Sequence, residues 1–311
     1  MTLKKVRQVR VRQNQKVVDL IEDLSEGGVL GAGRLGQAAK VMARMVKDKD
    51  CKVFLGVAGP MVPGGMKQVL ITMLEQGWID VLVTTGATLT HDAVEALGYS
   101  HYIGDPDADD AQLHKQGYDR MYDSYMPNKV YEGLETFVGK HIDELAKTAS
   151  IREFLSILGS RLPRKEPSIL ATCARLKIPI FCPALADSGI GLMVWGQLAK
   201  GRKVDVRAFE DLKEILDIAW TARRCGVIYI GGGVPKNFIQ QAMQFAPKAA
   251  VYGVQVTTDR PEPGGSSGAS LKEGISWGKM NPKGDFVDVY CDATIALPLL
   301  VSYCLDKTGK T

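Results

Sequence analysis

Short apolar, β-branched runs recur along this chain at 52–57, 79–84, 178–182, 227–230, 249–256 and 287–291, bounded by Gly, Pro or Thr. Continuous apolar runs of this length read as strands buried on both faces of a parallel sheet, because a strand with one wet face would alternate. Helical spacing fills the intervals, as at 35–46, 66–76, 129–147, 151–158 and 211–224. Strand–helix alternation over this length predicts an α/β fold: a doubly wound, mostly parallel, Rossmann-like sheet with helices on both faces. No Gly/Ser-rich or Pro-rich linker and no repeat interrupts the pattern, so it reads as a single domain, 1–311, in which residues 1–50 are an N-terminal helical extension. Residues 102–128 depart from it. Their acidic start, Gly104-Asp105-Pro106-Asp107-Ala108-Asp109-Asp110, lacks the glycine and the glutamate of a calcium loop, and the segment reads as a solvated polar excursion.

Composition narrows the classes. A chain of 311 residues, 45% hydrophobic and 24% charged, has the make-up of a globular protein with a sizeable core. The net charge of +4, without a basic stripe interleaved with aromatics, argues against a nucleic-acid binder. The basic start (Lys4, Lys5, Arg7, Arg10, Arg12) has no apolar core and reads as a solvated segment rather than a signal peptide. The apolar stretch near 295–304 is too short to cross a bilayer. The six cysteines are scattered with no C-x-x-C pair, as expected of reduced, buried thiols in a cytoplasmic protein. Four histidines without H-x-x-x-H spacing predict no zinc site.

In open α/β sheets ligands bind beyond the carboxyl ends of the strands. Here those ends read Gly56-Val57-Ala58-Gly59-Pro60, Thr84-Thr85-Gly86-Ala87-Thr88, Pro183-Ala184-Leu185-Ala186-Asp187-Ser188-Gly189, Gly231-Gly232-Gly233 and Cys291-Asp292-Ala293-Thr294. Any one such loop is also what a tight turn looks like. Five together point to a nucleotide cleft, with glycines admitting phosphate or ribose, helix starts favouring anions, and Asp187 and Asp292 placed to accept ribose hydroxyls. The loop Gly31-Ala32-Gly33-Arg34-Leu35-Gly36 fits G-x-G-x-x-G but has no strand feeding it, so it is read as a decoy. His91 falls at the start of a helix, where it either orients a substrate or moves a proton, or else bonds to the backbone. Lys279, in Glu273-Gly274-Ile275-Ser276-Trp277-Gly278-Lys279, is a candidate imine-forming nucleophile. A lysine amine attacks a carbonyl or imine only when neutral, and apolar surroundings such as an indole wall favour that form.

In order, Asp80-Val81-Leu82-Val83-Thr84-Thr85, Pro183-Ala184-Leu185-Ala186-Asp187, Gly231-Gly232-Gly233-Val234-Pro235-Lys236, Ser276-Trp277-Gly278-Lys279 and Tyr290-Cys291-Asp292-Ala293 resemble the deoxyhypusine synthase family, over about residues 19–305. The resemblance implies an NAD-dependent aminobutyl transferase in which spermidine gives up a hydride, its four-carbon unit passes to Lys279 with loss of 1,3-diaminopropane, and then moves to an acceptor amine. It assigns NAD contacts to Thr84, Thr85, Gly86, Asp187, Gly231, Gly233, Thr258, Asp292 and Ala293. Substrate contacts fall to Trp277, Glu273, Asn237, His91 and Asp187. It further implies a homotetramer with shared active sites.

The departures concern the amine. Asn237 stands where eukaryotic members have a histidine, Leu192 and Ser266 stand at two of their acidic positions, Gly59-Pro60 replaces Ser-Asn, and Thr90-His91 replaces an acidic pair. A triamine needs carboxylates to meet its ammonium groups, since an unpaired buried charge is costly. The pattern resembles the archaeal and bacterial branch. Three readings stay open: a deoxyhypusine synthase acting on a lysine of the translation initiation factor five-A precursor, a homospermidine-synthase-like enzyme with a free diamine or agmatine-like acceptor, or a non-catalytic NAD-binding paralogue.

Overall fold

The computed structural model describes residues 3–309, and each of the six apolar runs forms a strand in it. The strands are Cys51–Val57 (β1), Val81–Thr84 (β2), Tyr102–Ile103 (β3), Tyr118–Met121 (β4), Ser124–Pro127 (β5), Ile180–Phe181 (β6), Arg224–Ile230 (β7), Ala250–Thr257 (β8) and Met280–Tyr290 (β9). The helices are Val17–Gly27 (α1), Leu30–Lys47 (α2), Lys67–Glu75 (α3), Gly86–Ala96 (α4), Asp110–Gln116 (α5), Val130–Leu145 (α6), Ile151–Arg161 (α7), Ile169–Leu176 (α8), Gly189–Ala199 (α9), Phe209–Thr221 (α10), Gly233–Phe245 (α11) and Ala293–Thr308 (α12). The fold class is the predicted α/β one, with parallel strands and helices between them. Among the described residues no helix is long and apolar enough to cross a membrane.

Contacts divide the chain into two compact units. The first takes in the chain up to Gly56, Trp78–Asp80 and the chain from Ile215 onward; the second is Val57–Gly77 and Val81–Glu214.

In the first unit β1, β7, β8 and β9 are neighbours in that order. The parallel ladders set Val227 opposite Gly253 and Val254 opposite Val287. Val227, Ile228 and Ile230 of β7 and Val254 and Val256 of β8 are fully buried, which is why these segments read as unbroken apolar runs. Each large aliphatic or aromatic side chain so buried contributes about 1.5–3 kcal/mol. The G-x-G-x-x-G stretch is not a loop but lies inside α2. Its glycines serve helix packing: a Cβ at Gly36 would lie 2.4 Å from the Ser25 nitrogen, and one at Gly33 2.5 Å from the Gly28 carbonyl carbon. Only glycine lets α1 and α2 approach this closely. Glu22 of α1 ties this end together, meeting Lys40 Nζ of α2 at 2.7 Å, and Tyr303 Oη at 2.7 Å and Lys307 Nζ at 2.9 Å on α12.

In the second unit β2 pairs with β6 in parallel, Leu82 opposite Ile180 and Val83 opposite Phe181. Helix α4 is the hub, packed against α6, α8 and α9, with Leu89, Ala93 and Val94 buried. Its polar residues do structural work. Thr90 Oγ1 accepts the Ile190 N–H of α9 at 3.1 Å. The fully buried Asp92 accepts from the Ser168 hydroxyl (2.7 Å) and from the Ile169 (2.7 Å) and Leu170 (2.8 Å) N–H groups, capping α8 from a neighbouring helix.

Residues 102–128 are ordered more than a solvated excursion requires. They form helix α5 and an antiparallel sheet in the order β3-β5-β4. The acids are engaged locally: Asp109 caps α5 through the Ala111 N–H, and Asp110 holds Arg120 with two bonds of 2.7 Å. Strands of two to four residues with mixed polarity carry too little period-two signal to be read in advance.

Candidate functional site

Lys279 closes a compact loop in the first unit. A 3-10 turn, Leu271–Ile275, is capped by Ser270. The chain then reverses through Ser276, Trp277 and Gly278, whose φ of +71° needs glycine. The Lys279 N–H donates to the Gly274 carbonyl at 2.8 Å, and its carbonyl accepts from Ala250 N–H at 3.1 Å, joining the loop to β8. The backbone is therefore pinned on both sides while the side chain is left free. Its Nζ lies 4.7 Å from the Trp277 ring centroid. The predicted indole wall is present, but it is 57% exposed, so it is one face of an open cleft rather than a dry box.

That cleft has a volume of about 350 Å³ and brings Asn237 and Ser266 together with Glu273, Trp277 and Lys279 of one short stretch. Glu273 is the single carboxylate among its lining residues. Two further lining groups carried no predicted role. Lys236, in the first turn of α11, is 4% exposed and donates to the Ala269 carbonyl at 2.5 Å. Burial pushes its ammonium down to about 8, against the pull of Asp288 and Glu273. Gln240, one turn on, donates from Nε2 to Tyr229 Oη at 3.0 Å, and its buried Oε1 has no partner. An unmet buried acceptor is costly unless a ligand or water supplies a donor. The available signal was the i, i+4 spacing of Lys236 and Gln240, which places both on one face of the helix that follows the triple glycine.

The other cofactor candidates of this unit lie at its strand–helix turns. Gly231 (φ +72°) and Gly233 (φ +58°) shape the entry to α11, whose start has no side-chain cap. A side chain added at Gly233 would meet nothing within 4 Å. Exposed, uncapped N–H groups beside an open backbone surface fit the phosphates of a dinucleotide. Thr258 is exposed just past β8, and Asp292 caps α12, where Ala293 begins the helix.

In the second unit Thr84 is buried, its hydroxyl donating to the Val57 carbonyl at 3.0 Å. Thr85 caps α4 by accepting from Thr88, and Gly86 is packed against Ser188. Asp187 is exposed, Ser188 caps α9, and Leu192 is 56% exposed on α9. His91 lies in the second turn of α4 and bonds to another side chain rather than to backbone: its Nδ1 is 2.9 Å from His101 Nε2. Burial and the neighbouring His101 hold His91 down at about 4. The six cysteines are free, and burial pushes the thiols of Cys51, Cys182, Cys225 and Cys304 up to about 12, which leaves them unreactive.

The family model described as deoxyhypusine synthase matches residues 19–304. "Probable deoxyhypusine synthase 1" of Methanosarcina mazei is 42% identical over 306 residues, 98% of this chain and 96% of that protein. The Archaeoglobus fulgidus protein of the same name is 42% identical over 301 residues, 97% of this chain and 98% of its own. In structure, an Entamoeba histolytica chain assigned as a deoxyhypusine synthase shares the fold with a TM-score of 0.65 at 19% identity, over 94% of this chain and 93% of that one. With a family model spanning most of its length and relatives of this identity, the chain belongs to the deoxyhypusine synthase family of transferases.

Proposed function

We propose that this protein is an NAD-dependent aminobutyl transferase in which Lys279 carries the four-carbon unit of spermidine as an imine. The observation that carries the reading is the Lys279 amine over the Trp277 indole, in a cleft that also holds Glu273 and the unmet Gln240 acceptor. Bound NAD would take a hydride from the donor carbon and return it at the end. Lys279 then attacks the donor's C=N carbon, the C–N bond to 1,3-diaminopropane breaks, and the product is a lysine imine. An acceptor amine attacks that carbon in turn and releases Lys279. Trp277 offers a face to the polyamine cation, and Glu273 offers it a counter-charge. Gly231, Gly233, Thr258, Asp292 and Ala293 are proposed to hold the cofactor in the first unit. Thr84, Thr85, Gly86 and Asp187 have the same proposed role in the second.

The acceptor we propose is a lysine of the translation initiation factor five-A precursor, in a cytoplasmic homo-oligomer. The exposed apolar residues Leu192, Trp195 and Leu198 of α9 support self-association. A second reading, transfer to a free diamine or agmatine-like amine, draws on Asn237 and Ser266, which leave the cleft with one carboxylate. The test is incubation with NAD and spermidine, borohydride trapping and peptide mass spectrometry. A four-carbon amine adduct on Lys279 with release of 1,3-diaminopropane is expected. NAD binding without an adduct, with spermidine or any diamine, would sink the reading. Supplying the precursor or a free diamine to the loaded enzyme then separates the two acceptors.

A further inference from the structure

The cleft around Lys279 contains one buried polar atom to which the proposed chemistry gives no role. Gln240 of α11 is 5% exposed, and its Oε1 meets no donor among the described residues. The orientation of the amide is set from its other end. Nε2 lies 3.0 Å from Tyr229 Oη and 3.8 Å from Met280 Sδ. A thioether sulfur can only accept, so the NH2 group faces these two atoms and the carbonyl is turned away from them. Tyr229 is fully buried on β7, so the amide is anchored to the sheet.

The carbonyl borders the stem of Lys279. The Lys279 N–H donates to the Gly274 carbonyl, which sets these two residues against each other. A Cβ added at Gly274 would lie 3.4 Å from Gln240 Oε1 and 3.6 Å from Lys279 Cβ. The side chain that Gly274 lacks thus leaves one small space bordered by both the acceptor and the lysine. Lys236, one turn earlier on α11, does not fill the acceptor's need, because its ammonium is turned to the Ala269 carbonyl. Lys279 Nζ itself sits 4.7 Å from the Trp277 ring centroid, at the end of a flexible four-carbon stem. An amine or ammonium carries several N–H groups and can turn them to the open cleft.

We propose that Gln240 is a further catalytic residue, whose Oε1 accepts the N–H of the protonated imine on Lys279, and that Tyr229 is the positioning residue that holds the amide for it. This rests on the aminobutyl-transfer reading and concerns the intermediate of that same site. A protonated imine has a single N–H, and its carbon chain takes the side of the cleft beside Trp277, which leaves the N–H to the wall that holds Gln240. An amide oxygen accepts the hydrogen bond without taking the proton, so it favours the charged imine over the neutral one. The charged form is the electrophile that the acceptor amine attacks. The acceptor nitrogen bonds to the imine carbon, one of its protons passes to the Lys279 nitrogen, and the bond from that nitrogen to the carbon breaks. Lys279 leaves as a neutral amine and the new imine keeps the positive charge. The charged groups around the Lys279 nitrogen are Glu273 of the 3-10 turn and Lys236 of α11, both lining the cleft, with Asp288 of β9 acting on Lys236. Lys272 of the same turn is exposed and does not line the cleft, and β8 has no charged side chain.

The experiment incubates the protein with NAD and spermidine and follows reduction of the Lys279 imine from neutral to alkaline pH. Cyanoborohydride reduces a protonated imine and spares the neutral one, while borohydride in a parallel sample reports the total; both adducts are read by peptide mass spectrometry. The ratio of the two falls as the imine loses its proton. Wild type, Gln240→Met, Gln240→Glu and Tyr229→Phe are compared after thermal melts show them folded. Gln240→Met keeps the length of the side chain and removes the acceptor, so the fall moves to lower pH by about one to two units, the effect of losing a hydrogen bond to a charged group. Gln240→Glu sets a carboxylate beside the nitrogen, and the fall moves to higher pH. Tyr229→Phe moves it the same way as Gln240→Met and by less. Should either Gln240 variant fail to fold or to form the imine, the direction of the shift in the other decides. A fall at the wild-type pH in the Gln240 variants, with the adduct formed, overturns this inference and leaves the aminobutyl-transfer reading standing. No Lys279 adduct in the wild type with either reductant at any pH overturns both.

Discussion

The loop around Lys279 and the helix α4 put similar polar residues to opposite uses. Around Lys279 the backbone makes the hydrogen bonds, and the side chains of Lys279, Trp277, Asn237 and Ser266 are left facing the cleft. On α4, Thr85, Thr90 and Asp92 are already bonded to other helix starts or to their own, and His91 is tied to His101. Free side chains on a pinned backbone suit chemistry, whereas engaged side chains suit the holding of helices in place.

Four variants would break or sharpen that contrast. The largest effect is expected from Lys279→Ala: no trapped adduct by mass spectrometry, with NAD binding retained and unfolding stability within about 0.5 kcal/mol of wild type. A large loss of stability would mean the lysine is structural after all. Next comes Asp92→Asn. Its amide cannot accept on both sides, and with one buried N–H facing a donor the protein loses about 1–3 kcal/mol in urea unfolding. Trp277→Leu comes third, lowering spermidine affinity by about 0.5–1 kcal/mol in calorimetry as the cation–π face is lost, with an unchanged melt.

The last variant, Glu22→Gln, tests an engaged cluster in the first unit through its pH dependence. Burial would push the Glu22 carboxyl up, but bonds from Lys40, Tyr303 and Lys307 hold it down at about 2, against an ordinary 4.5. A carboxyl depressed in the folded state contributes stability that is present above 4.5 and is lost as pH falls through 4.5 toward 2. The melting-temperature gap between wild type and Glu22→Gln should therefore close across that window. A gap that stays constant with pH would remove the carboxylate from the account.

Much of this was legible because it depends on local pattern. The six strands follow from unbroken β-branched runs, and the cleft's Lys279, Trp277 and Glu273 lie within seven residues of chain. The failures have a common cause in contacts between distant residues. Gly33 and Gly36, rightly read as a decoy for want of a strand before them, pack against α1, a role the local pattern did not show. His91 bonds to His101, which lies beyond the end of α4. Lys236 sat in a quoted motif without a role, since its burial depends on the segment bearing Ala269.

The Glu22 cluster has a consequence for how the chain is born. It joins α1 and α2 to α12, just as β1 waits for β7 as its neighbour, so the first unit needs pieces separated by most of the sequence. The second unit is nearly one continuous stretch, Val57–Gly77 and Val81–Glu214. On the ribosome the inner stretch can fold while synthesis continues, and α1 and α2 must wait for α12 until it emerges. During that wait the nascent protein shows the apolar side of α2 and the edge of β1 that β7 will cover.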